Sequence, residues 1–245
     1  MEEGKNLFYL EKSAWYGTDY FLKNFPNRKN EIGGYLSYRL ENQMVNIFYG
    51  REDKSKILAR IFFDLPPKEN PMSVDTLNTM ASNLERELIM MRENTLEIVN
   101  SDKENFFSHY KNTSYNIIPM ISGAERKVYI ITGAQVSGVV VLGNDYLLTF
   151  DKKGKLKKKE KIHNSIIELP IADKEGNFSV NSIHSHVNSK YIDPTDICTL
   201  LLFKDYVKWE QHTVIGKKYV SIFDLKKEEL VILKFKDWEK IMGRN

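Results

Sequence analysis

One cysteine, Cys198, stands among 245 residues. A lone thiol excludes an intramolecular disulfide and any multi-cysteine zinc or iron–sulfur site. Long apolar runs are missing too: no stretch approaches the ~18 uninterrupted residues of a membrane-spanning helix. The first residues, MEEGKNLFYLEKSAWYG, lack a basic start followed by an apolar run. No signal peptide is read there, so a cytoplasmic location is expected; a chain trimmed of its leader would look the same. No Gly-x-Ser-x-Gly elbow occurs, which makes Ser185 a poor hydrolase nucleophile. The stretch Gly133-Ala134-Gln135-Val136-Ser137-Gly138 lacks the Lys and Ser/Thr of a phosphate loop.

What is present is globular in composition, 42% hydrophobic and 28% charged. A chain of this length buries roughly 70–75% of its unfolded surface, enough for a sizeable core. The net charge is only +3, but the segment Lys152 to Lys161 (KKGKLKKKEK) alone carries seven lysines and one glutamate. Nucleic acid is one partner such a run could serve. Against it, no Arg and few aromatics interleave with the lysines, unlike a single-strand binding platform. A solvated hairpin turning at Asp151-Lys152-Lys153-Gly154 is the favoured reading, with the lysines blunting a strand edge.

The pattern along the chain predicts an α+β fold. The aromatic-rich first ~30 residues are read as a short helix or wrapping arm. Tyr35–Leu40, Met44–Tyr49 and Ile57–Phe63 form a three-stranded meander with turn residues between the runs. A long helix is predicted from Ser73 to Val99, capped by Ser73 or Asp75, and a second helical piece over Lys103 to Lys111. From about Ile117 short strands take over. Pro194 opens a helix, and two or three strands and a short amphipathic tail close the chain. A division into 1–115 (meander plus long helix) and 116–245 (antiparallel-rich sheet flanked by helices) is expected.

The chemistry concentrates in one segment. His184-Ser185-His186 ends a strand-like run, and residues i and i+2 of a strand project to the same face roughly 6.5 Å apart. Ten residues on, Asp193-Pro194-Thr195-Asp196 is a helix start, with Asp193 as cap, Pro194 at the first position and Asp196 in the first turn. A loop of this length can bring Asp196 back to the histidine pair. Two imidazoles, a carboxylate and an open position make a catalytic type of zinc site. Other His-x-His families fit less well. Metallo-β-lactamases need further ligands where Val187-Asn188-Ser189 follows, cupins want a glutamate near Lys190, and amidohydrolase barrels need far more chain after the pair.

The stretch HSHVNSKYIDPTDICTLLLF, residues 184 to 203, is similar to the core motif of the JAMM (JAB/MPN) metallopeptidase-like superfamily, including its bacterial relatives. There a His-Ser/Thr-His-Pro turn is followed by Pro-Ser-x-x-Asp opening a helix. The resemblance implies a JAB/MPN-like rear sheet, with His184, His186 and Asp196 as zinc ligands. It implies a glutamate general base upstream, best placed at Glu125; Glu168 is too near. It implies hydrolysis of peptide or isopeptide bonds in a protein or peptide substrate. Val187 replaces the motif's proline. The family's serine, which helps hold the tetrahedral intermediate, falls on Asp193, with Thr195 as a substitute. Ser185 and His163 are further accessory candidates; His109 and His212 receive no role. The rival expectation is a non-catalytic interaction module that kept the scaffold and lost the base. No membrane partner is expected.

Overall fold

The computed structural model describes residues 1–173, 175–187 and 189–243. A helix α1 (Glu2–Asn24) opens the chain, and a short 3-10 helix (Pro26–Glu31) leads into the meander β1 (Ile32–Leu40), β2 (Gln43–Gly50) and β3 (Ile57–Asp64). A short strand β4 (Ser73–Asp75) precedes helix α2 (Asn83–Asn100). Six strands follow: β5 (Thr113–Ser122), β6 (Glu125–Ala134), β7 (Val139–Gly143), β8 (Tyr146–Phe150), β9 (Leu156–Lys161) and β10 (Ile166–Pro170). The last part runs β11 (Asn181–Ser185), α3 (Pro194–Phe203), β12 (Gln211–Ile215), β13 (Tyr219–Asp224), β14 (Glu229–Lys234) and α4 (Phe235–Ile241). The sheets are ordered β1-β2-β3-β4, β5-β6-β8-β9, β10-β7 and β11-β12-β13-β14. The predicted α+β class holds, and the lysine run forms the β8–β9 hairpin.

Two helices differ from expectation. The aromatic-rich start is a full 23-residue helix. Its apolar stripe (Leu7, Leu10, Ala14, Phe21) is buried at helical spacing, as an amphipathic helix requires. Phe21 stacks on Phe48 of β2 at 4.2 Å between ring centroids. Helix α2 starts nine to ten residues later than predicted, because Ser82 and Glu85 form a capping box there. Ser73 and Asp75 are spent instead on β4, paired with β3. The piece predicted over Lys103–Lys111 is not helical.

The element that positions the site is α3. Ile197, Cys198, Leu200, Leu201 and Leu202 are all buried, so the helix is apolar nearly all round and lies inside the molecule. Each such aliphatic side chain contributes about 1.5–3 kcal/mol by leaving water. On one side α3 meets α1, where Trp15 packs edge-on against Phe203 at 5.8 Å. The cluster containing Leu7, Phe48, Ile131 and Leu201 is continuous, so this core crosses the predicted 115/116 division. Helix α3 is also the crossover between β11 and β12, which pair in parallel; parallel neighbours need such a connection. No helix among the described residues is long and apolar enough to cross a membrane.

Candidate metal centre

His184 lies near the end of β11, and His186 extends the ladder past it by donating its backbone N–H to Ile215 O at 2.9 Å. Alternation on the strand turns both rings inward, each under a tenth exposed, while Ile183 and Ser185 face outward. The β11–α3 loop then returns Asp196 to the pair. Its Oδ2 lies 3.2 Å from His186 Nε2 and its Oδ1 3.8 Å from His184 Nε2. The local convergence expected from the sequence is present.

A third imidazole joins them. His163, on the β9–β10 loop, places Nε2 3.1 Å from His186 Nε2 and 3.7 Å from Asp196 Oδ1. His184 Nε2 is 2.7 Å from His186 Nε2. Asp193 Oδ2 stands 3.4 Å from His163 Nε2. His163, His186, Asp193 and Asp196 together form a group that could hold a metal ion, with His184 beside it.

Three observations fit a cation at this point. First, the far nitrogen of every ring is held. His163 Nδ1 meets Asp145 Oδ2 at 3.1 Å, His186 Nδ1 meets the Tyr191 carbonyl at 2.8 Å, and His184 Nδ1 meets His212 Nε2 at 2.7 Å. Metal-binding imidazoles are characteristically fixed in this way. A carbonyl only accepts, so His186 carries its proton on Nδ1 and turns the Nε2 lone pair to the centre; an ionised Asp145 holds a proton on His163 Nδ1, so that a cation displacing the ring's second proton would meet Nε2. Second, Asp196 Oδ1 and Asp193 Oδ2 are buried without a hydrogen-bond partner, which costs free energy unless a cation satisfies them. Third, the spacing suits one ion. Donors ~2.0–2.1 Å from a tetrahedral zinc stand about 3.3 Å apart, inside the 2.7–3.8 Å range of the neighbouring pairs, and the ligand atoms of His163, His186, Asp193 and Asp196 all lie within 4.8 Å of one another.

The electrostatics agree. Asp145, Asp193 and Asp196 bring three carboxyl groups to one small region. Burial raises the Asp196 carboxyl, but His186, His163 and His184 outweigh it and hold it well below the usual carboxylate range. Burial pushes Asp145 up against the pull of His163. For His163 burial works downward, yet Asp145, Asp193 and Asp196 push it up to about 11. Burial pulls His184 down to about 4 and His212 down to about 3. One proton on His163 thus offsets part of the negative charge, a role a metal dication fills more completely. A cavity of ≈ 80 Å³ opens on the cluster, walled by Leu142, Ile162, Ile167 and Val187.

The remaining expectations sort by position. Glu125 does not reach the centre. Its side chain is 65% exposed and pairs with Lys127 at 3.0 Å, and it lines a different cavity with Glu3, Arg39 and Glu228. The reason is strand length. The end of β6 near the cluster is Thr132, whose N–H donates to Asp145 Oδ1. Seven residues separate Thr132 from Glu125, roughly 23 Å of strand. Glu168 is exposed on β10. Thr195 is fully buried with its hydroxyl unpartnered and does not line the cavity; Ser185 does, from the exposed side. Cys198 packs into the core with Leu7 and Leu201. Asp145 and His212 were not expected. Asp145 follows the β7–β8 turn and His212 sits on β12, so neither carries a local motif. No family model matches this chain, and no curated protein or solved structure matches it either.

Proposed function

We propose that the protein is a zinc-dependent hydrolase of peptide or isopeptide bonds, built like the JAMM (JAB/MPN) superfamily around His184, His186 and Asp196. The observation that carries this reading is the run of close contacts at one point: His184 Nε2 and His163 Nε2 each lie within 3.1 Å of His186 Nε2 and within 3.8 Å of the unpartnered Asp196 Oδ1. Bound zinc would supply Lewis acidity, acidifying water and polarising a carbonyl. His184, His186 and Asp196 would hold it. His163 would be the fourth donor and the one best placed to give way to water: its side chain is 12% exposed against 1–3% for the other three, and it sits on a loop. Asp193, with Oδ1 accepting from Ser189 Oγ at 2.9 Å and Oδ2 free, takes the proton that Glu125 is too distant to take. Asp193 passes it to His163 Nε2, 3.4 Å from its Oδ2, and His163, braced by Asp145, delivers it to the leaving amine.

A second reading is favoured by that same fourth donor. Four protein ligands close a tetrahedral zinc, as in structural sites, and the protein is then a non-catalytic interaction module. Metal analysis and a fluorogenic peptide library separate the readings. The purified protein should carry about one zinc per chain, lost in His184→Ala and Asp196→Ala. Asp193→Asn should keep zinc and lose hydrolysis, while Glu125→Ala changes neither. Zinc retained in both ligand variants refutes the site; zinc lost in both, with no hydrolysis by the wild type, leaves the non-catalytic module.

A further inference from the structure

We infer that His212 is a positioning residue for the metal centre: through a buried chain from His184 to Ser182 it keeps the His184 Nε2 lone pair turned toward the ion. This rests on the metal reading above. In the parallel β11–β12 ladder Ser182 lies opposite His212 and His184 opposite Val214. The His212 ring therefore stands beside the step between Ser182 and His184 on the inward face of β11. Its Nε2 is 2.7 Å from His184 Nδ1, and its Nδ1 is 2.6 Å from Ser182 Oγ. His212 is completely buried, so water does not reach its ring in the folded protein.

The direction of the chain decides what His184 can do. A neutral imidazole carries one N–H, so its two nitrogens are one donor and one acceptor. If His184 Nδ1–H donates to His212 Nε2, and His212 Nδ1–H donates to Ser182 Oγ, the His184 Nε2 lone pair is free for a metal. Reversed, Ser182 donates to His212, His212 donates to His184, and the remaining proton sits on His184 Nε2, where it blocks coordination. His163 and His186 have acceptors that permit one direction only, a carboxylate and a backbone carbonyl. His184 alone leans on a partner that can run both ways. His212 fixes its ring orientation, and Ser182 completes the chain at the strand edge.

The test is metal binding, with no substrate required. Zinc affinity is measured by competition with a chromogenic chelator, and cobalt(II) absorption reports the ligand geometry. His212→Leu removes the acceptor and should weaken zinc binding ~10–100-fold and alter the cobalt spectrum. His212→Gln offers a side-chain carbonyl to His184 Nδ1–H and should recover most of the affinity, which a merely structural role would not give. Ser182→Ala, at a half-buried site that tolerates alanine, should weaken zinc several-fold; this variant decides the matter if His212→Leu does not fold. Wild-type affinity and an unchanged cobalt spectrum in His212→Leu, or unchanged affinity in Ser182→Ala, overturn the inference while His184→Ala still abolishes binding. Zinc retained by His184→Ala overturns the metal reading and this inference with it.

Discussion

Arg60 and Glu85 meet as a buried two-pronged ion pair, with Nε 2.7 Å from Oε1 and Nη2 2.8 Å from Oε2. Glu85 also accepts from Tyr38 Oη at 3.0 Å and from the Ser82 backbone N–H at 2.7 Å. One carboxylate therefore ties β1, β3 and the start of α2 together. Removing one partner of a buried pair leaves the other charge uncompensated, at about 3–5 kcal/mol. Glu85→Ala should lower unfolding stability by that amount in urea titrations. A loss under about 1 kcal/mol would show that the pair contributes no more than a surface bridge does.

The same carboxylate shows how much was legible in sequence. Ser82-x-x-Glu85 is a capping box, yet the helical spacing of Leu77 and Met80 drew the predicted start back toward Ser73. In the structure those two side chains are exposed. The meander was readable because alternation and turn residues are local signals. Helix α1 was read only as a short helix or wrapping arm, because its aromatic-rich start looked irregular; its two glycines sit where the helix is closely approached. A Cβ at Gly4 would stand 2.7 Å from Ile197 Cβ, and one at Gly17 would strike the Asn46 side chain; both mark close approach inside a helix. At the site, His184, His186 and Asp196 were legible from strand parity and a helix cap. His163 was named as an accessory candidate, but its place among the donors, like those of Asp145 and His212, is set by strand pairings that no local spacing encodes. Glu125 was placed by counting along the chain, which says nothing about the end of β6 it occupies.

Glu11 gives the fold a pH dependence with a definite sign. It is 7% exposed on α1, beside a small cavity shared with Tyr35, Arg92 and Asn116. Burial pushes its carboxyl from 4.5 up to about 7, against the attraction of Arg92. Below pH 4.5 the folded and unfolded chains are both protonated there, and the group is neutral toward stability. Between 4.5 and about 7 the unfolded chain releases the proton and the folded chain keeps it, so stability falls as pH rises and the full penalty remains above 7. The upper size is about 3 kcal/mol. Glu11→Gln should match the wild type at pH 4 and exceed it at pH 8 in urea midpoints. Because the comparison is between variants, the titrating histidines cancel. Parallel pH curves for the two proteins would remove the buried acid from the account.

Gly143 connects the fold to the site. It ends β7 with φ +87°, and a Cβ there would lie 2.3 Å from the Ser165 carbonyl oxygen and 3.5 Å from His163 Cβ. The backbone just before β10 thus approaches β7 more closely than any side chain permits, and the loop that carries His163 is held by that approach. Gly143→Ala meets both a left-handed backbone and a collision, and should cost about 1–3 kcal/mol from the backbone alone. Ser165 must also move, taking His163 with it. Gly138 is the control, since it has φ +83° with nothing within 4 Å of its added Cβ. Gly138→Ala meets the backbone strain without the collision and should leave zinc affinity unchanged. Gly143→Ala should lower that affinity as well as stability. If both variants bind zinc equally well, the close β7–β10 contact is not what sets His163 against the other donors.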